Sequence, residues 1–118
     1  MLEWKGVGRH ENKMMETMNI IFNEHEKLLD FLFEDNCPKL RQEANLLLLA
    51  ARGFSSGEQL LVRVGIDLWN GEANVKLWEL VERLDENNFE QIFKAILHLK
   101  KSEDEGMTWR SPGSVILK

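Results

Sequence analysis

The chain has a single cysteine, Cys37, so no internal disulfide can form and packing alone must hold the fold. No apolar run is long enough to span a bilayer, and the first residues lack the charged, apolar, small-residue order of a signal peptide. The expected location is therefore the cytoplasm, with no membrane partner. Cations are outnumbered as well: 15 Lys and Arg stand against 20 Asp and Glu, a net charge of −5. General binding to nucleic acid or to an anionic membrane needs a positive surface, so nucleic acid is disfavoured as a partner. His10, His25 and His98 are too scattered for metal-ligand spacing, and Cys37 has no second cysteine beside it. In Gly53-Phe54-Ser55-Ser56-Gly57 no lysine follows the second glycine, so it is no phosphate loop. Ser55, Ser56 and Ser102 have no histidine at a recognisable spacing. Neither an enzyme nor a cofactor or metal is expected.

What is present is a globular composition. Over 118 residues, 43% are apolar and 30% charged, enough for one domain with a real core. The acid sits on the flanks: residues 1–36 hold four Lys/Arg against eight Asp/Glu, and residues 72–105 hold five against nine. The centre, residues 37–71, holds four against three.

The organising stretch is 55–71. Leu60, Leu61, Val64 and Leu68 form one apolar face of a helix, and Val62, Ile66 and Trp69 form another almost opposite. The polar strip is narrow: Gln59, Arg63, Asp67 and Asn70. A helix apolar on two sides is packed on two sides. The expected fold is all-α, a compact irregular bundle of about five helices around a central helix at 55–70. Ser55 and Glu58 are spaced as a capping box at its start, and Gly71 suits its end.

Around it, a long amphipathic helix is expected from Glu11 to Asp35, with Met14, Met18, Ile21, Phe22, Leu28, Leu29 and Leu32 on its apolar stripe. Pro38 ends it and opens a second helix, running to Arg52 and closed by Gly53 as a left-handed cap. Asn74 is the expected cap of the fourth helix, with Leu77, Leu80, Val81 and Leu84 inward. Asp85 caps the fifth, with Phe89, Ile92, Phe93, Ile96 and Leu97 inward. Residues 1–9 read as a loose leader, 10–105 as the domain and 106–118 as an irregular tail.

Three polar residues are candidate anchors. His25 lies on the stripe of the first helix and reads as a core-edge histidine or a ligand. Arg63 and Asp67, four apart on the central helix, read as a local ion pair or, if covered, a buried network. Residues 68–79 resemble the calcium loop of an EF-hand at Asn70, Glu72, Val75 and Glu79. They depart from it at Leu68, where the first carboxylate belongs, and at Ala73, where glycine makes the bend. An ordinary helix–loop–helix joint accounts for them.

Function is expected through protein–protein contact, with a protein partner or a second copy of the chain. Ile20 and Phe31, off the stripe of the first helix, and Trp109, Val115, Ile116 and Leu117 in the tail are the candidate contact residues. The alternative is a nucleic-acid-binding regulator using helices three and four. It is weakened by the carboxylates among Lys76, Glu79, Glu82 and Arg83 on the outer face of the fourth.

Overall fold

A computed structural model describes residues 1–103. Among these the fold is all-α, with six helices: α1 (Arg9–Ile21), α2 (Glu26–Leu32), α3 (Ala44–Ala50), α4 (Ser56–Asn70), α5 (Leu77–Arg83) and α6 (Glu86–Glu103). A 3-10 turn, Ala51–Gly53, follows α3.

The central helix is α4, and both of its ends are set by local chemistry. Ser55 Oγ accepts the Glu58 amide at 3.2 Å, and Glu58 Oε1 accepts the Ser55 amide at 3.1 Å. Gly71 ends it in the left-handed region at φ 76°, which a residue without Cβ adopts freely. Leu60, Leu61, Val62, Val64 and Ile66 are buried, and Trp69 packs half-buried on the core. Helices α1, α2, α3 and α5 all contact α4.

The expected first helix divides into two. Asn23, Glu24 and His25 form a turn, in which the His25 amide donates to the Phe22 carbonyl at 2.9 Å. The division lets Phe22, at the end of α1, and Leu32, at the end of α2, converge on one point of α4. That point is Gly65, where an added Cβ would lie 3.1 Å from Phe22 Cζ and 3.1 Å from Leu32 Cδ1. The apolar stripe skips Asn23 to Lys27, so breaking the helix there exposes nothing apolar.

The expected second helix is also shorter. After α2 the chain is extended, with Phe33 paired antiparallel to Leu40. Glu34 N donates to Lys39 O at 3.0 Å, and Arg41 N to Leu32 O at 2.9 Å. The Arg41 guanidinium reaches Glu34 and Asp35 across this small loop. Gly53 does not take the left-handed conformation; the 3-10 turn closes instead by Phe54 N to Ala51 O at 2.9 Å.

The leader is not loose. Leu2 and Trp4 are 2% and 3% exposed. The Asn19 side chain clasps both the amide and the carbonyl of Leu2, at 2.9 and 3.2 Å. The Trp4 indole N–H donates to Glu34 O at 2.9 Å, and its ring meets Phe33 and Trp69 edge-on at 5.9 and 5.8 Å. Phe33 and Trp69 close the triangle at 5.3 Å. Three aromatic rings from three distant stretches thus lock the leader, the extended loop and α4 together.

Helix α6 lies along α1. Asp85 caps it, accepting the Asn88 amide at 2.8 Å, as the sequence implies. Ile92 and Ala95 are buried beneath it. On the flank, His98 Nε2 and Glu16 Oε1 lie 2.9 Å apart. This hydrogen bond, and the nearby Lys13 ammonium, hold the Glu16 carboxyl below its ordinary range.

A candidate interaction face on two helices

The polar anchors expected from the sequence prove to be internal fasteners. His25 Nε2 lies 2.9 Å from Asn88 Oδ1, tying the α1–α2 turn to the first turn of α6. Asn87 donates to Glu24 beside it at 3.0 Å. Arg63 and Asp67 form no ion pair with each other. Each instead holds the loop between α4 and α5. Asp67 Oδ1 accepts the amides of Ala73 and Asn74 at 2.7 and 2.9 Å, and Oδ2 accepts that of Val75 at 2.6 Å. Asn74, expected as a helix cap, sits inside this loop with φ 54°. Lys76 takes the N-cap position of α5, its amide donating to Glu79 Oε1 at 2.9 Å.

Arg63 reaches the opposite side of the same loop. Its Nη1 and Nη2 donate to the two Glu79 oxygens at 2.9 and 3.2 Å, and Nη2 also donates to the carbonyls of Ala73 and Asn74. The Arg63 hydrogen bonds, followed by that of the Lys76 amide, hold the Glu79 carboxyl down at about 2. The loop therefore points amide donors inward at Asp67 and gives its carbonyls to a guanidinium. A calcium loop needs the reverse, with carbonyl and carboxylate oxygens converging on the ion. Among the described residues, no group of three His, Cys, Asp or Glu side chains converges to hold a metal.

The contact residues expected on the first helix are both half-buried and have internal neighbours. Ile20 is half-buried against the core. Phe31 stacks edge-on against Phe54 at 5.0 Å. Trp109, Val115, Ile116 and Leu117 lie outside the described residues.

Among the described residues, the large exposed apolar side chains cluster elsewhere. On α5, Leu77 is 80%, Trp78 60% and Val81 72% exposed, although Leu77 and Val81 are expected inward. On α6, Phe93 is 65% exposed, and Phe89, Ile96 and Leu97 between 37% and 45%, again against expectation. The reason is geometric. Seven residues of α5 bury only Leu80, because its remaining apolar side meets no neighbour among the described residues. Helix α6 uses the Ile92–Ala95 side on α1, so its Phe89–Phe93–Ile96 side is left over. The two leftover sides adjoin, forming a groove of about 400 Å³ whose floor is Leu80 and Ile92 and whose walls include Leu77, Val81, Phe89 and Phe93. All of its lining residues are apolar.

A second hollow, of about 430 Å³, lies between α3 and α4 and is lined in part by Asn45, Leu49, Arg52, Gln59 and Arg63. Two of its polar groups, Gln59 and Arg63, are already engaged. The Gln59 amide donates to the carbonyls of Phe54 and Arg52, and Arg63 is committed to Glu79. No described helix is long and apolar enough to cross a membrane. In comparisons with family models, curated proteins and solved structures, nothing matches this chain.

Proposed function

We propose that this is a non-enzymatic protein that works by protein–protein contact, and that the α5–α6 face is its contact surface. The observation that carries the reading is the seven large apolar side chains exposed side by side on α5 and α6, around a groove without a polar wall. Taking roughly 150–250 Å² for a large aromatic side chain and somewhat less for an aliphatic one, their exposed fractions amount to about 700 Å². The largest apolar patch on a typical monomer is about 300–600 Å², and each side of a standard protein interface is about 800 Å². The area therefore fits a protein surface better than incidental exposure. A nucleic-acid contact through the same helix would set Leu77, Trp78, Val81 and Glu82 against phosphates, which reward none of them.

The test is site-specific photo-crosslinking in the native host, with a benzophenone side chain placed at Val81 or Phe93 and, as control, at Asn23 on the exposed α1–α2 turn. Discrete covalent protein adducts from the first two positions and none from Asn23 are expected. No adduct from either face position, or equal yields from all three, would overturn the reading.

A further inference from the structure

We infer that the occupant of this face is a second copy of the chain, with the two α6 helices antiparallel; this rests on the face being the contact surface at all. The argument comes from the charge order beside the apolar stripe. At 100° per residue, Glu90, Lys94 and Lys101 fall along one flank of Leu97, Glu86 lies between Phe93 and Leu97, and all four are exposed, while the exposed Lys100 lies beside Phe93 at the basic end. Along the helix the order is acid, acid, base, base.

When two identical helices pack antiparallel about a two-fold axis, the same flank of each runs beside the other in reverse. With the axis near Phe93, the Glu86–Glu90 end of each copy meets the Lys94–Lys101 end of its mate, twice over. A parallel pair would set this flank beside the opposite flank of its mate, so Glu86 and Glu90 would not meet Lys94 and Lys101. Antiparallel α6 helices also oppose their macrodipoles. Such a strip is complementary to its own reverse. Residues 104–118 carry two anions, Asp104 and Glu105, and two cations, Arg110 and Lys118, so the chain's own tail is the competing occupant, which the truncation below distinguishes. The apolar area of about 700 Å² per copy is near the 800 Å² that one side of a standard interface contributes. An isologous contact of this kind uses up the face in both copies, so assembly stops at two.

The experiment is sedimentation equilibrium of the full chain and of exposed-charge variants, with circular dichroism to verify that each is folded. The wild type is expected at twice the 13.8 kDa of one chain. Glu86→Lys with Glu90→Lys makes the strip wholly basic, and Lys94→Glu with Lys101→Glu makes it wholly acidic. Each variant alone is expected as a monomer, and an equimolar mixture is expected to recover the dimer mass as a one-to-one pair. Phe93→Glu should be monomeric and unrescued by mixing. A wild type that stays monomeric over the accessible concentrations overturns the inference. So does a dimer indifferent to both charge reversal and Phe93→Glu, or a monomer that dimerises only when truncated after Glu103, the last case meaning that its own tail covers the face. If the chain is monomeric while benzophenone at Val81 captures a different protein, the contact reading stands and the self-pairing falls. If neither occurs, both fall.

Discussion

Arg63 holds Glu79 across 16 positions of sequence with both guanidinium nitrogens, at 2.9 and 3.2 Å, while Asp67, one turn along α4, never touches it. The two α4 residues divide the labour by charge. The anion collects the amides of the following loop, and the cation collects its carbonyls and the first carboxylate of α5. The placement of α5, and so one wall of the apolar groove, depends on this pair of grips.

Acid should loosen the second grip in a defined window. The Glu79 carboxyl is lowered from 4.5 to about 2, so the folded state favours its ionised form. The stability gained is present in full above pH 4.5 and is lost as pH falls through that value towards 2. Urea midpoints of wild type and Glu79→Gln should therefore differ by a constant amount above about pH 5 and converge on acidification. A gap that does not change with pH would show that the ion pair contributes nothing through ionisation.

Replacing Asp67 by Asn keeps the shape but turns one acceptor into a donor facing the Val75 amide. Hydrogen bonds to a charged group are worth about 1.5–3 kcal/mol each, so a loss of about 2 kcal/mol is expected. Hydrogen exchange should speed at Ala73, Asn74 and Val75 more than elsewhere. Uniform acceleration would mean that Asp67 acts only through global stability.

The leader should behave as core. Trp4→Ala removes a ring shared by Phe33 and Trp69 and is expected to cost about 3–5 kcal/mol, as for a large buried aromatic. Trp4→Phe keeps most of the packing and forfeits the hydrogen bond to Glu34 O, costing about 1–2 kcal/mol. Thermal unfolding of the two variants checks the order. Equal and negligible losses would return residues 1–9 to the status of a loose leader.

Much of the fold was legible in the sequence where its causes are local. Ser55, Glu58 and Gly71 frame α4 by contacts within a few residues, and two apolar sides on one helix imply cover on both. Asp85 is likewise a local cap. What was not legible depends on distant partners. Nothing near Leu2 and Trp4 announces Asn19, Glu34 and Trp69, and nothing near Asn23 announces that Phe22 and Leu32 must meet over Gly65. The exposed apolar face was hidden for a related reason. Periodicity marks Phe89, Phe93 and Ile96 as one apolar side of a helix, but it is silent on whether that side meets the same chain. Ile20 and Phe31, off the stripe of the first helix, have internal neighbours and are half-buried.

Gly65 carries the closest approach in the core. Alanine there gains up to about 1 kcal/mol of helix propensity, set against a Cβ at 3.1 Å from Phe22 and Leu32. Valine adds two further methyl groups at the same point and should be overpacked, losing about 1–3 kcal/mol. Denaturant unfolding of the Ala and Val variants should show a small change for the first and a clear loss for the second. Valine tolerated without loss would mean that α1 and α2 can withdraw from α4 freely.

An apolar side chain that only follows the helical pattern differs measurably from one that is buried. Leu77 and Val81 flank Leu80 on the same short helix, yet they are 80% and 72% exposed while Leu80 is 7% exposed. Serine at Leu77 or Val81 should change monomer stability by no more than about 0.5 kcal/mol, as surface substitutions do. Leu80→Ala should cost about 2–5 kcal/mol, since it empties the floor of the groove. The comparison is made at low protein concentration, where association adds least to apparent stability. At higher concentration Val81→Ser should lower the unfolding temperature more, because any partner seated on the face would lose contact area. Val81→Ser as costly as Leu80→Ala in the dilute monomer would place Val81 in the core and remove the face from consideration.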